Sequence, residues 1–188
     1  SDPRYSGGRK YTSAEMIALL EKDPQSAQRT SSYGDTILHS AVGCGNLELC
    51  KYLLKKGADS NARNKSNEVP LHRLSITGPV CVEIATCLIE AGADINIRND
   101  KGNTPLHEIM KTIVWLDFNV QEETALKEQN ARQVEQGIMT AVKAEEVFFK
   151  KITEPLQRQR KMIQLFVKNG AKTGEVNEKG QSPRSMAK

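Results

Sequence analysis

The sequence predicts an all-α fold in which short helical repeats stack into a solenoid. Three similar phrases, GDTILHSAV, NEVPLHRLS and GNTPLHEIM, begin at residues 34, 67 and 102, and their histidines are 33 and 35 residues apart. The Gly-Ala pairs at residues 57 and 92 are also 35 residues apart. A fixed period of this size is typical of stacked supersecondary units. Aromatic residues make up only 5% of the chain, so small aliphatic side chains must fill its core.

Each phrase has the residues that begin a helix. Thr36 and Thr104 stand where a hydroxyl can cap free backbone N–H groups. Pro70 and Pro105 suit the first helical turn, where the missing N–H costs little. The segment NLELCKYLLKKG then places leucines on one face of a second helix, and Gly57 ends it. One unit is therefore predicted to be a helix-turn-helix followed by the loop ADSNARN.

The motifs Thr104-Pro105-Leu106-His107 and Gly57-Ala58-Asp59 resemble the ankyrin-repeat family, and the resemblance covers most of residues 12–188. It implies hairpin-like loops between units, a structural role for the histidines, and a concave surface that binds other proteins. It also implies contact positions on the loop tips and first helices, namely Tyr33, Asp35, Lys65, Glu68, Arg73, Ile76, Asp100, Lys101, Asn103 and Lys111.

The repeats divide the chain into consecutive segments. We expect a disordered leader (1–11), an N-terminal cap (12–30), two repeats (31–63 and 64–98), a third repeat with an insertion (99–176) and the start of a terminal repeat (177–188). The cap begins with the capping-box pair Thr12 and Glu15. In the terminal repeat, Arg184 and Ser185 stand where leucine and histidine stand elsewhere, which fits a unit with no neighbour to contact.

A helical insertion, at about residues 115–158, separates the two helices of the third repeat. Its second helix, RKMIQLFVKNGA, comes only at residues 160–171, roughly 45 residues later than the period predicts. The composition favours one long helix over about residues 122–151 with an apolar stripe, made by Leu126, Val134, Ile138, Val142, Phe149 and Ile152. Trp115, Phe148 and Phe149 form either the private core of this insertion or exposed anchors for a partner, so Trp115 is a candidate contact residue.

The sequence predicts neither an enzyme nor a cofactor site, because no nucleophile–base motif, P-loop or dinucleotide fingerprint occurs. A zinc site is the tempting alternative, built from three histidines and four cysteines: His39, His72, His107, Cys44, Cys50, Cys81 and Cys87. No CxxC pair is present, so buried thiols in a reducing compartment are the better interpretation.

The predicted function is binding of another protein through the concave face, the insertion or both, by a monomer in the cytoplasm or nucleus. We expect no small-molecule substrate, nucleic acid or membrane as a partner. Two alternatives remain open. One is the targeting region of a larger secreted bacterial effector or enzyme, acting in host cytoplasm. The other is an anionic-surface or nucleic-acid binder, since residues 150–188 contain ten lysines and arginines against three glutamates.

Asn96 carries a separate hypothesis. Its segment LIEAGADIN resembles substrates of the asparaginyl hydroxylase that modifies ankyrin repeats, with Leu88 and Ile95 placed suitably. The structural alternative is a side chain that bonds within its own loop.

Overall fold

The computed structural model describes residues 12–74, 78–117, 120–137, 140, 143 and 154–186, and this part of the chain contains helices and loops with no strand. Two 3-10 turns cover Pro24–Gln28 and Pro70–Arg73. The α-helices are α1 (Ser13–Lys22), α2 (Ile37–Gly43), α3 (Leu47–Lys55), α4 (Cys81–Glu90), α5 (Pro105–Asp117), α6 (Val120–Glu135), α7 (Glu154–Lys168) and α8 (Pro183–Met186). The prediction of an all-helical fold is confirmed. The predicted leader lies outside the described residues.

The first unit shows how local residues set the helix boundaries. The Thr36 hydroxyl accepts a hydrogen bond from the His39 N–H at 3.4 Å and so caps α2. The Asn46 side chain caps α3 by accepting from the Leu49 N–H at 3.0 Å. Gly57, at φ +83°, ends α3 in the left-handed conformation that glycine adopts without strain.

The second unit departs from the expectation of a first α-helix. Pro70 does begin a helical segment, but this is a four-residue 3-10 turn, and the backbone is extended at Leu74. Val69 occupies the capping position and offers no side-chain oxygen to the free N–H groups. Gly78 and Pro79 lie a few residues further on, and both disfavour a longer helix.

One apolar core runs through the described units, from Leu20 on α1 to Phe166 on α7. It is built almost wholly from leucine, isoleucine, valine, alanine, methionine and cysteine side chains. The same leucine position recurs at the centre of each unit. Leu38, Leu71 and Leu106 are 2%, 0% and 2% exposed. The low aromatic content of the sequence is thus explained by close stacking of small aliphatic side chains.

α7, which follows the inserted residues, packs in the position expected for the second helix of the third unit. α7 contacts both α4 and α5. Leu106 and Ile109 from α5 lie in the same buried cluster as Met162 and Phe166 from α7, with Ile163 and Leu165 packed against it. The third unit therefore brings α5 and α7 together in one core, although many residues separate them in the sequence.

The predicted single long helix over about 122–151 is wrong. α6 ends at Glu135, and Gly137 then adopts φ +68°, which a continuing α-helix does not permit. The predicted limits of the insertion, 115 and 158, both fall inside helices, α5 and α7. Of the predicted apolar stripe, Ile138, Val142, Phe149 and Ile152 lie outside the described residues, as does Phe148.

Within the ranges given above, no helix combines the length and the apolar character that crossing a membrane requires.

Candidate functional site

Four loop tips, at residues 32–34, 65–67, 100–102 and 178–180, form the candidate site and are called the tip strip. Three of them are shaped by an asparagine that comes just before the tip. The Asn64 Oδ1 atom accepts from the N–H groups of Ser66 and Glu68, both at 2.9 Å. Asn99 and Asn177 hold the third and fourth tips in the same way, at 2.9 to 3.0 Å. In the first tip, the Ser31 hydroxyl accepts from Tyr33 and Asp35 instead.

Backbone hydrogen bonds join each tip to the next. The Lys65 N–H donates to the Tyr33 carbonyl at 3.0 Å, and the Asp100 N–H donates to the Ser66 carbonyl at 3.1 Å. The Glu178 N–H donates to the Lys101 carbonyl at 3.3 Å. The four tips therefore make one continuous row with a fixed spacing.

The three histidines join neighbouring units through both ring nitrogens. Nδ1 of His39, His72 and His107 accepts from the backbone N–H of Thr36, Val69 and Thr104 respectively, at 3.1 to 3.2 Å. Because Nδ1 accepts, the neutral ring carries its proton on Nε2. Nε2 then donates to a carbonyl of the following unit, that of Glu68, Asn103 or Gln181, at 3.0 to 3.1 Å. These rings are structural cross-links between units.

This arrangement makes stability depend on pH. Burial lowers the pKa of His39, His72 and His107 below the ordinary value, although the bonded carbonyls oppose the shift. Below about pH 6.5 the unfolded chain binds protons that the folded chain does not, so stability falls as pH falls. The stabilising contribution is fully present above that pH.

We expect the melting temperature to drop steadily between pH 7 and pH 5, with each histidine contributing a slope of up to about 1.4 kcal/mol per pH unit to the free energy of unfolding. A thermal melt series in constant ionic strength checks this, and a flat profile would contradict it.

Two further asparagines bridge units on the other side of the loops. Asn61 donates from Nδ2 to the Gly92 carbonyl at 2.9 Å and accepts from the Asp94 N–H at 2.8 Å. Asn96 makes the same pair of bonds to Gly170, at 3.1 Å, and Lys172, at 2.9 Å. The expectation that Asn96 bonds within its own loop is therefore wrong, because its amide reaches the next unit. Its hydroxylation stays a prediction.

Comparison with known proteins identifies these units. A family model described as "Ankyrin repeats (many copies)" matches residues 19–74. The chain contains ankyrin repeats. The same histidine and asparagine bonds continue through the third and fourth tips, beyond the matched residues.

Three curated relatives each match about a third of the chain. Human "Transient receptor potential cation channel subfamily A member 1" is 38% identical over 68 residues, and the match covers 33% of this chain and 6% of the relative. "E3 ubiquitin-protein ligase KEG" of Arabidopsis thaliana is 35% identical over 65 residues, 35% of this chain and 4% of the relative. "Notch-regulated ankyrin repeat-containing protein B" of Danio rerio is 36% identical over 73 residues, 37% of this chain and 66% of the relative. The chain thus spans a small fraction of the first two relatives and just under two thirds of the third.

The ankyrin units place the predicted contact residues in three different environments. Tyr33, Lys65, Asp100 and Lys101 lie on the tip strip with exposed side chains, and Tyr33 is 75% exposed. Ile76 lies outside the described residues, and so does the side chain of Trp115, whose backbone belongs to α5. The remaining five belong to polar clusters behind the tips.

The first of these clusters joins two ankyrin units. Asp35, only 5% exposed, accepts a hydrogen bond from Asn64 Nδ2 at 2.8 Å and lies 3.3 Å from the Arg73 guanidinium. Arg73 also pairs with Glu68 at 3.4 Å. Asp35 is therefore buried and bonded within the protein. Arg73, with 44% of its side chain exposed, can still contact a partner.

The second cluster, one unit further along the chain, has a similar arrangement of a buried polar residue, a glutamate and a basic residue. Asn103, 2% exposed, donates to Glu108 Oε1 at 2.8 Å and accepts from Asn177 Nδ2 at 2.8 Å. Lys111 pairs with Glu108 at 2.8 Å and keeps 42% of its side chain exposed. Asn103 is thus interior, whereas part of the Lys111 side chain remains exposed.

Two of the cysteines, Cys50 and Cys81, are buried and poorly suited to nucleophilic chemistry. Burial raises the pKa of Cys50 to about 12 and also raises that of Cys81, so both are protonated at neutral pH. Across the part of the chain that the structure describes, no group of three or more histidine, cysteine, aspartate or glutamate side chains is placed to hold a metal ion.

Gly102 shows how closely the ankyrin tips approach one another. It has φ +67°, and a Cβ added there would lie 2.7 Å from Arg98 Nη2 and 3.2 Å from the Glu178 backbone nitrogen. We expect Gly102→Ala to lower the free energy of unfolding by more than the roughly 1–2 kcal/mol that positive φ alone costs alanine. Urea denaturation measures it.

Gly45 provides the matched control for this substitution. Its φ is +68°, and a Cβ added there would meet nothing within 4 Å. Gly45→Ala therefore isolates the cost of the backbone conformation. Equal losses for the two variants would show that the tips do not pack as closely as described.

Proposed function

We propose that the chain binds a partner protein through the tip strip together with Arg73 and Lys111 on the adjoining concave side. Ankyrin repeats are in general protein–protein interaction modules. The main observation behind the proposal is that the residues that shape the loops and the residues exposed on them are different sets. The asparagine and histidine that shape and join the tips recur from unit to unit, whereas the exposed side chains beside them differ.

The exposed side chains of the strip suit specific recognition. Tyr33 offers a large exposed aromatic surface at one end of the row. Lys65 makes the second tip basic, whereas the third tip presents Asp100 with Lys101 and the fourth presents Glu178 with Lys179, an acid–base pair in each case. Aromatic anchors with a surrounding charge pattern give affinity and specificity respectively.

The basic C-terminal region is less favoured as the recognition surface. Arg158 pairs with Glu154 at 2.8 Å, and Lys172 pairs with Glu175 at 2.9 Å. Both cations are therefore already partly neutralised within the chain. We propose a reducing intracellular setting, because Cys44, Cys50 and Cys87 are free thiols, and Cys50 and Cys81 are buried.

A capture experiment with matched variants tests the proposal. The bait is the 188-residue chain, and the test variant carries Tyr33→Ala, Lys65→Ala and Lys101→Ala, which leave the backbone bonds of the tips in place. The control carries Lys51→Ala and Lys55→Ala on exposed positions of α3, so that it loses the same two charges. Proteins retained by each bait are quantified by mass spectrometry.

A protein retained by the natural chain and the control but lost from the tip variant supports the proposal. Proteins retained equally by all three baits would contradict it. A fourth bait, with residues 118–153 replaced by a glycine-serine linker, shows whether the insertion contributes. Loss of the same protein from that bait would move recognition to the insertion.

A further inference from the structure

The second and third ankyrin units each have side chains that reach toward the C-terminal neighbour, here called forward connectors. Four positions supply them. The central leucine packs in the continuous core, and the following histidine donates from Nε2 to the next unit. In the preceding loop, an asparagine amide bridges to the next loop, and an arginine guanidinium donates to a carbonyl there.

The loop arginines repeat this forward contact. Arg63 Nη1 lies 3.5 Å from the Arg98 carbonyl, and Arg98 Nη2 donates to the Val176 carbonyl at 2.6 Å. Together with Asn61 and Asn96, they tie each loop to the loop that follows.

All four forward connectors are replaced in the last described layer. The loop asparagine becomes Gly174 and the loop arginine becomes Val176, which is 50% exposed. The central leucine becomes Arg184, which is exposed. The histidine becomes Ser185, whose hydroxyl accepts from the Ser182 N–H at 2.9 Å and donates to the Ser182 carbonyl at 2.9 Å. Ser185 thus accepts the same hydrogen bond from the residue three positions earlier that each histidine accepts. Its short side chain has no second donor that could extend to a following unit, as Nε2 of histidine does.

The contacts toward the N-terminal neighbour are all retained in this layer. Asn177 Nδ2 donates to Asn103 Oδ1 at 2.8 Å, and the Gln181 carbonyl accepts from His107 at 3.1 Å. The Glu178 N–H reaches Lys101 at 3.3 Å, and Pro183 is buried. The layer is therefore built to dock on one side only.

We infer that the layer carrying Gly174, Val176, Arg184 and Ser185 ends the ankyrin stack, because its outward side lacks all four side-chain connectors of the preceding units. A further repeat would have to bury an arginine and would gain none of the three side-chain hydrogen-bond bridges. The inference rests on side chains within residues 170–186 and is independent of the proposed partner.

An extended chain tests this directly. Ser185 corresponds to His39 and Met186 to Ser40, so a copy of residues 41–74 fused after Met186 continues the repeat in register. The copy is fused to two backgrounds. One keeps the natural residues, and the other carries Gly174→Asn, Val176→Arg, Arg184→Leu and Ser185→His, which restore the four connectors. Hydrogen exchange is measured at the amides of the added copy that correspond to residues 57–74.

We expect those amides to exchange at least about tenfold more slowly in the restored background, because several hydrogen bonds become available there. In the natural background they should exchange as an undocked segment. Equal protection in both backgrounds would overturn the inference, and so would an absence of protection in both, since the four positions would then not decide docking. The restored chain without the added copy serves as the control for changes within residues 12–186.

Discussion

Replacing Phe166 by alanine is expected to lower the free energy of unfolding by about 3–5 kcal/mol, the largest loss foreseen for any single substitution considered. Phe166 is 0% exposed and is among the largest fully buried side chains of the described chain. It lies on α7, which contacts α4 and α5, in the same cluster as Met162. Alanine removes most of this apolar surface and leaves a cavity between the second and third repeats. Urea denaturation followed by circular dichroism measures the loss.

The adjacent residue supplies the control. Val167 is 51% exposed, so Val167→Ala should change the unfolding free energy by no more than about 0.5 kcal/mol. Similar losses for the two variants would show that α7 does not pack as the second helix of the third repeat.

The second large effect is expected from His72→Ala, at about 2–4 kcal/mol. The substitution leaves two groups without their partners: the Val69 N–H, which donates to Nδ1 at 3.1 Å, and the Asn103 carbonyl, which accepts from Nε2 at 3.0 Å. Val69 and Asn103 are 0% and 2% exposed, so water does not readily replace the ring. Each such group costs about 1–3 kcal/mol when unsatisfied.

Lys101→Ala, on the exposed side of the next tip, is the comparison for this variant and should be close to neutral. Because His72 joins the second repeat to the third, its loss should also broaden the unfolding transition by weakening the coupling between repeats. An unchanged midpoint for His72→Ala would show that the ring is dispensable as a cross-link.

The period, the helix starts and the role of the histidines could be predicted from the sequence because each depends on a local pattern repeated at fixed spacing. The second unit's missing first helix left a signal, Val69 in place of threonine followed by Gly78 and Pro79. Gly137 likewise marked the end of α6. The repeated phrase predicts the first helix of the second unit, and the helical composition of the insertion predicts one long helix. In both cases residues that break a helix override the surrounding pattern.

Contacts between units were harder to predict, because they depend on side chains about one period apart. Asn64, Asn99 and Asn177 stand at the same position before three tips, a recurrence visible in the sequence, yet their bonding to the tip backbone requires the folded loop. The resemblance to ankyrin repeats implies that Asp35 and Asn103 are contact positions. Their burial follows from the amides of Asn64 and Asn177, which approach from the next unit.

The backbone hydrogen bonds between tips also fix the distance from the first tip of the strip to the fourth. Stacked helices lie about 8–10 Å apart, so three intervals separate the first tip from the fourth by roughly 24–30 Å. An extended polypeptide rises about 3.3 Å per residue, and a segment of about seven to nine residues covers that distance. A partner that touches both Tyr33 and Lys179 must therefore present at least this length of chain, or a surface of equal breadth. Shorter segments can engage only neighbouring tips.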